Sequence, residues 1–125
     1  MRLLFIKELI MTYDKDKMRE TAIKNLGGSE AMYNKYLAKF KDKYVGIADE
    51  IVSVMNSGDA EESRRLAHSV KGLAATLGLM PCSDAAFELE KLFKVAIETG
   101  FTDELMESIL PALENFKEKI EEACK

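Results

Sequence analysis

Between Tyr33 and Met55 apolar residues return every three or four positions: Tyr33, Leu37, Phe40, Tyr44, Ile47, Ile51 and Met55. On a helix advancing about 100° per residue these side chains form one stripe, and such a stripe has to be covered by another element. The same spacing recurs in Leu66, Val70, Leu73 and Leu77, again in Ala85, Ala86, Leu89, Phe93 and Ile97, and again in Leu105, Ile109, Leu113, Phe116 and Ile120. No stretch alternates with period two, so no strand is expected. Successive amphipathic helices with short connections have few ways to hide their stripes other than packing on one another.

The stops and starts between the stripes are local signals. A short helix is expected from about Asp16 to Leu26, ended by Gly27-Gly28. Ser29 can then cap a long helix reaching about Asn56. Gly46 lies inside that helix, where it either interrupts it or marks the close approach of a neighbour. Ser57-Gly58 makes the next turn, and Asp59 with Glu62 reads as a capping box. Gly78 ends the helix so opened. The following one starts near Pro81 or Ser83, with Ile97 among its inward residues, and stops at Gly100. Thr102 caps the last segment, in which Pro111 should produce a kink or begin a second helix. The expected fold is all-α: an up-down-up-down antiparallel four-helix bundle with an additional short N-terminal helix.

A chain of 125 residues can bury one working core. Residues 14–125 are read as a single helical bundle domain, and residues 1–13 as an apolar N-terminal extension or linker. The stretch Met1 to Met11 begins like a signal peptide, but Lys7 and Glu8 interrupt it and no small-residue cleavage site follows. It is also too short to span a bilayer. The start at Met1 and the lack of a linker at Lys125 favour a free-standing protein, with a piece of a hybrid sensor kinase cut at the apolar N-terminus as the alternative. The net charge of -4 argues against a nucleic-acid binder. Cys82 and Cys124 match no metal-ligand spacing, and free thiols in a reducing cytoplasm are expected in preference to a disulfide.

The chain's single histidine, His68, sits on the helix between Asp59 and Gly78, on the side away from Leu66, Val70, Leu73 and Leu77. An imidazole on the solvent face has no packing role there. Arg64, Lys71, Gly72 and Ala75 share that face. A mid-helix glycine costs roughly 1 kcal/mol relative to alanine, so Gly72, four residues after His68, points to a place where bulk must be absent. A neutral imidazole, whose ordinary pKa is about 6.5, can attack phosphorus through one ring nitrogen. Its other nitrogen then wants an acceptor to hold the ring and balance the developing charge. Lys71, one turn away, can offer an ammonium to phosphoryl oxygens.

The run Ala67-His68-Ser69-Val70-Lys71-Gly72, followed by Leu77-Gly78 and Leu89-Glu90, resembles the signature of histidine-containing phosphotransfer (HPt) domains. Leu26-Gly27-Gly28-Ser29-Glu30 is similar to the turn before that family's first long bundle helix, and the resemblance covers roughly residues 14–120. It implies a phosphoryl carrier of two-component signalling. His68 would accept the group on Nε2 from a receiver-domain aspartyl phosphate or a histidine kinase and pass it to another receiver. Lys71 would stabilise the phosphoryl oxygens, and Glu90 would orient the imidazole through Nδ1. Arg64, Arg65, Gly72, Ala75 and Lys94 would form the docking surface for the partner. Two departures stand out: Phe87, one turn before Glu90, where chemotaxis-kinase relatives carry a polar residue, and Pro81-Cys82 at the start of the third bundle helix.

The resemblance implies no cofactor or metal bound by this chain, with Mg²⁺ expected on the partner receiver domain. No glycine-rich nucleotide loop is present, so the protein is not expected to be an enzyme that phosphorylates itself from ATP. Its partners would be response-regulator receivers and a hybrid sensor histidine kinase, without nucleic acid or membrane insertion. A cytoplasmic monomer is expected. The competing reading is a non-catalytic helical docking module that binds receivers or scaffolds a signalling complex.

Overall fold

The structure, a computed structural model, describes residues 14–125. The expected extension or linker at residues 1–13 lies outside the described residues. The described chain is all-helical: α1 (Lys15–Asn25), α2 (Glu30–Tyr44), α3 (Ile47–Asn56), α4 (Ala60–Thr76), α5 (Met80–Thr99) and α6 (Asp103–Ala123). The long helix expected from Ser29 to Asn56 is divided into α2 and α3 at Val45–Gly46. A Cβ built on Gly46 would meet nothing within 4 Å among the described residues, so close approach of a neighbour there is not the reason for the glycine.

Helix starts follow side-chain chemistry. Ser29 Oγ accepts from the Met32 amide at 3.1 Å and Thr102 Oγ1 from the Leu105 amide at 3.1 Å. Asp14 caps α1 in the same way, accepting from the Lys17 amide at 3.1 Å. Asp59 accepts from the Glu62 amide at 2.9 Å, but the reciprocal half of the expected capping box is not made. The Asp59 amide donates instead to the Val54 carbonyl, and the Glu62 carboxylate turns to Arg65.

Helix α4 ends in a Schellman motif: the Leu79 amide donates to the Ala74 carbonyl at 2.8 Å and the Gly78 amide to the Ala75 carbonyl at 3.1 Å. This places Gly78 at a φ of 71°, where a side chain is strained. It also lies under α1, because a Cβ there would come within 2.5 Å of the Met18 carbonyl oxygen. Gly78→Ala is therefore expected to destabilise the protein by about 2 kcal/mol or more. Denaturant unfolding should show the loss and hydrogen exchange should show α1 amides losing protection; an unchanged unfolding midpoint would contradict this account.

Helices α4 and α5 share the largest interface, α6 packs against α5, α3 lies on α4 and α6, and α2 contacts α1 and α4. Phe40, Ile51, Leu77, Leu89, Phe93, Ile109, Phe116 and Ile120 are fully buried at the centre. Ile97 is not among them: it is 40% exposed, and the inward place is taken by Ala96. The stripe continues from Leu89 and Phe93 by a step of three, not four. Helix α6 runs unbroken through Pro111, so no second helix begins there. Ala67 and Ala74 on α4 and Ala85 and Ala86 on α5 are buried small residues on the two helices that share the largest interface. Cys82 and Cys124 are free thiols; burial, with a smaller contribution from Cys124, pushes Cys82 up to about 12, which keeps it protonated and inert.

Candidate functional site

The close packing of α4 on α5 brings a buried carboxylate under an exposed imidazole. Glu90 on α5 is 1% exposed, whereas the His68 side chain on α4 is 58% exposed. The His68 Nδ1 to Glu90 Oε2 distance is 2.7 Å, and Lys71 donates from Nζ to Glu90 Oε1 at 2.6 Å. Arg64 Nη1 stands 3.5 Å from Glu90 Oε2, with its Nη2 3.7 Å from Glu61. Three donors spaced a turn apart along α4 thus converge on one carboxylate. Ser83, itself buried, ties the two backbones at this level by donating from Oγ to the Lys71 carbonyl oxygen at 3.0 Å.

Burial works to raise the Glu90 carboxyl. The hydrogen bonds from Lys71 and His68, and then the charges of the same two groups, outweigh it and hold the carboxyl below the usual carboxylate range. Glu90 is consequently ionised at neutral pH and can only accept. The proton of a neutral imidazole is then required on Nδ1, which leaves the lone pair on Nε2 facing solvent. What the arrangement offers chemically is an oriented, accessible nitrogen nucleophile with an anion behind it and an ammonium nearby.

The lowered Glu90 group has a consequence for stability. Its folded-state affinity for protons is weaker than in the unfolded chain, so its contribution is complete above the unfolded value and is lost as pH falls through the lower folded one. Unfolding midpoints followed from pH 7 downward should fall more steeply for the natural protein than for Glu90→Gln. Parallel profiles would show that the carboxylate has no such linkage.

The remaining candidates are placed as follows. Gly72 and Ala75 are exposed, and a Cβ added at Gly72 would meet nothing within 4 Å, so among the described residues the glycine answers to no neighbour. Arg65 is exposed and pairs with Glu62 on its own helix, outside the group gathered on Glu90. Lys94 is exposed on α5; among the described residues the partners of Glu90 are Arg64, His68 and Lys71, and an i,i+4 pair with Lys94 is not formed. Sequence reasoning passed over Ser83 and the reach of Arg64 to Glu90. A signal was present: Ser83, Phe87, Glu90 and Lys94 keep a four-three-four spacing on α5, a second stripe beside the apolar one.

Among the described residues no helix is long and apolar enough to cross a membrane. The family model described as Hpt domain matches residues 35–124, which takes in α3 to α6 and most of α2 and leaves α1 outside. No curated protein sequence and no solved structure gave a match.

Proposed function

The chain belongs to the Hpt domain family, whose members carry phosphoryl groups in two-component signalling, and from that we infer that this protein is a phosphorelay intermediate with His68 as its phosphoryl acceptor. The observation that carries the reading is the bond from His68 Nδ1 to the buried, ionised Glu90. In the transfer step the Nε2 lone pair attacks the phosphorus of a receiver's aspartyl phosphate. The N–P bond forms as the bond from phosphorus to the aspartyl oxygen breaks, and the carboxylate leaves with the electron pair. The Nδ1 proton stays between the ring and Glu90, whose charge balances the imidazolium formed. Lys71 offers its ammonium to the phosphoryl oxygens. Return of the group to a second receiver is the same step reversed.

The family meets receiver domains and kinases, so the partner would supply the aspartate, its acid cluster and Mg²⁺. Open space over Gly72 supports the approach of a receiver's loops to His68, with Arg64, Arg65, Ala75 and Lys94 as the border of the contact. Short turns between the helices support the up-down-up-down order, and the free thiols support a cytoplasmic setting. An exposed His68 face supports a monomer as the working unit.

The test is transfer of labelled phosphate from several receiver domains charged with acetyl phosphate. Acid-labile, base-stable label on the protein is expected, and its loss in His68→Gln would assign it to the one histidine in the chain. A folded protein that takes no label from any receiver would leave the docking-module reading in its place.

A further inference from the structure

Phe87 is 44% exposed, one turn before Glu90 on α5, and so is not accounted for by the core. It is nevertheless engaged. The Lys71 ammonium lies 5.3 Å from the centre of its ring, while Lys91, which pairs with Glu88 at 2.8 Å, lies 4.9 Å from it. Lys71 Nζ is at the same time 2.6 Å from Glu90 Oε1. One ammonium is therefore held from two points a turn apart on α5, a carboxylate and an aromatic face. A lysine stem with a single partner samples many rotamers, and a second holder narrows them to the side on which His68 stands. The ring quadrupole attracts the cation without neutralising it, so the charge stays available to an incoming anion.

We propose that Phe87 is a positioning residue for Lys71, fixing its ammonium beside Glu90 and His68 where phosphoryl oxygens will arrive. The effect on transfer rests on the reading of His68 as phosphoryl acceptor; the placement of Lys71 does not. Leucine at this position keeps apolar bulk and loses the aromatic face, whereas tryptophan restores it.

The experiment has two arms on the full chain. In the first, proton NMR follows the Lys71 ε-methylene, which a neighbouring ring displaces upfield. Phe87→Leu is expected to return it to the ordinary lysine position, and Phe87→Trp and Lys91→Gln to leave it displaced. A Lys71 resonance that Phe87→Leu does not move would overturn the proposal. The second arm measures phosphoryl transfer from a charged receiver. Phe87→Leu should be slower by about two- to fivefold, the size of an exposed cation–ring contact, and Phe87→Trp should recover the rate. In a Lys71→Ala background the same Phe87→Leu change should have no further effect. An equal loss in that background would mean that Phe87 meets the receiver directly and does not act through Lys71, which also overturns the proposal. Should no variant take up label, natural protein included, the phosphoryl-carrier reading falls, and the first arm still decides the placement of Lys71. Circular dichroism and unfolding of Phe87→Leu should match the natural protein, because the ring is not part of the core.

Discussion

His68→Gln is expected to reduce uptake of phosphoryl label to the level of a blank while leaving the fold intact. An amide nitrogen has no lone pair available for attack on phosphorus, so the change removes the nucleophile outright. What it leaves in place is the surroundings. The His68 side chain is 58% exposed and contributes little packing, and a glutamine amide can still donate to Glu90. Lys71 and Arg64 keep their own contacts to that carboxylate. The stability change should stay within about 0.5 kcal/mol, as for a surface substitution. Label measured beside denaturant unfolding separates the two effects. Label on the variant with unchanged acid lability would place the acceptor elsewhere in the chain.

The second large effect is expected at Glu90. Glu90→Leu places an apolar side chain of similar size at a site that is 1% exposed, and it removes the acceptor on which His68, Lys71 and Arg64 converge. Without it the ring can turn and its proton can reside on either nitrogen. The positive charge formed on phosphorylation then has no anion behind it. A hydrogen bond to a charged group is worth about 1.5–3 kcal/mol, so transfer should slow by about ten- to a hundredfold. Glu90→Gln retains an oxygen acceptor without the charge and should fall between the two. The Lys71 and Arg64 side chains, each 28% exposed, can turn to water when the carboxylate is gone, so stability suffers less than the rate. Single-turnover transfer in the order Glu, Gln, Leu is the expected result. Equal rates for all three would remove Glu90 from the mechanism.

Much of this is legible in the sequence because it is local. Ser29, Asp59 and Thr102 announce helix starts through bonds three residues long, and Gly58 and Gly78 announce ends through backbone that bends back on itself. The outward place of His68 followed from the angle between residues on one helix. What was not readable depends on how two helices meet. Ile97 was expected inward because the stripe had been running in fours near Leu89 and Phe93, and Ala96 is the buried residue instead. Glu62 looked like the second half of a capping box until Arg65 offered a stronger partner. Arg64 looked like part of a basic rim, yet its charge is directed partly inward to Glu90. The ring of Phe87 looked like a departure from pattern, because its engagement with Lys71 exists only across the α4–α5 interface.

His68 and Glu90 are 22 residues apart in sequence, Lys71 and Glu90 are 19, and a single tight turn at Gly78 joins the helices that carry them. In kinetic terms this is a site of low contact order: closing one helical hairpin brings its members together, without waiting for distant parts of the chain. Loop closure over so short a distance carries less entropy cost than docking α1, whose contact from Met18 to Gly78 closes a longer stretch of chain. During refolding, protection of α4 and α5 amides should therefore appear no later than protection elsewhere. The chemistry is written into the part of the chain that can assemble first, and the outer helices are left free to differ without touching it.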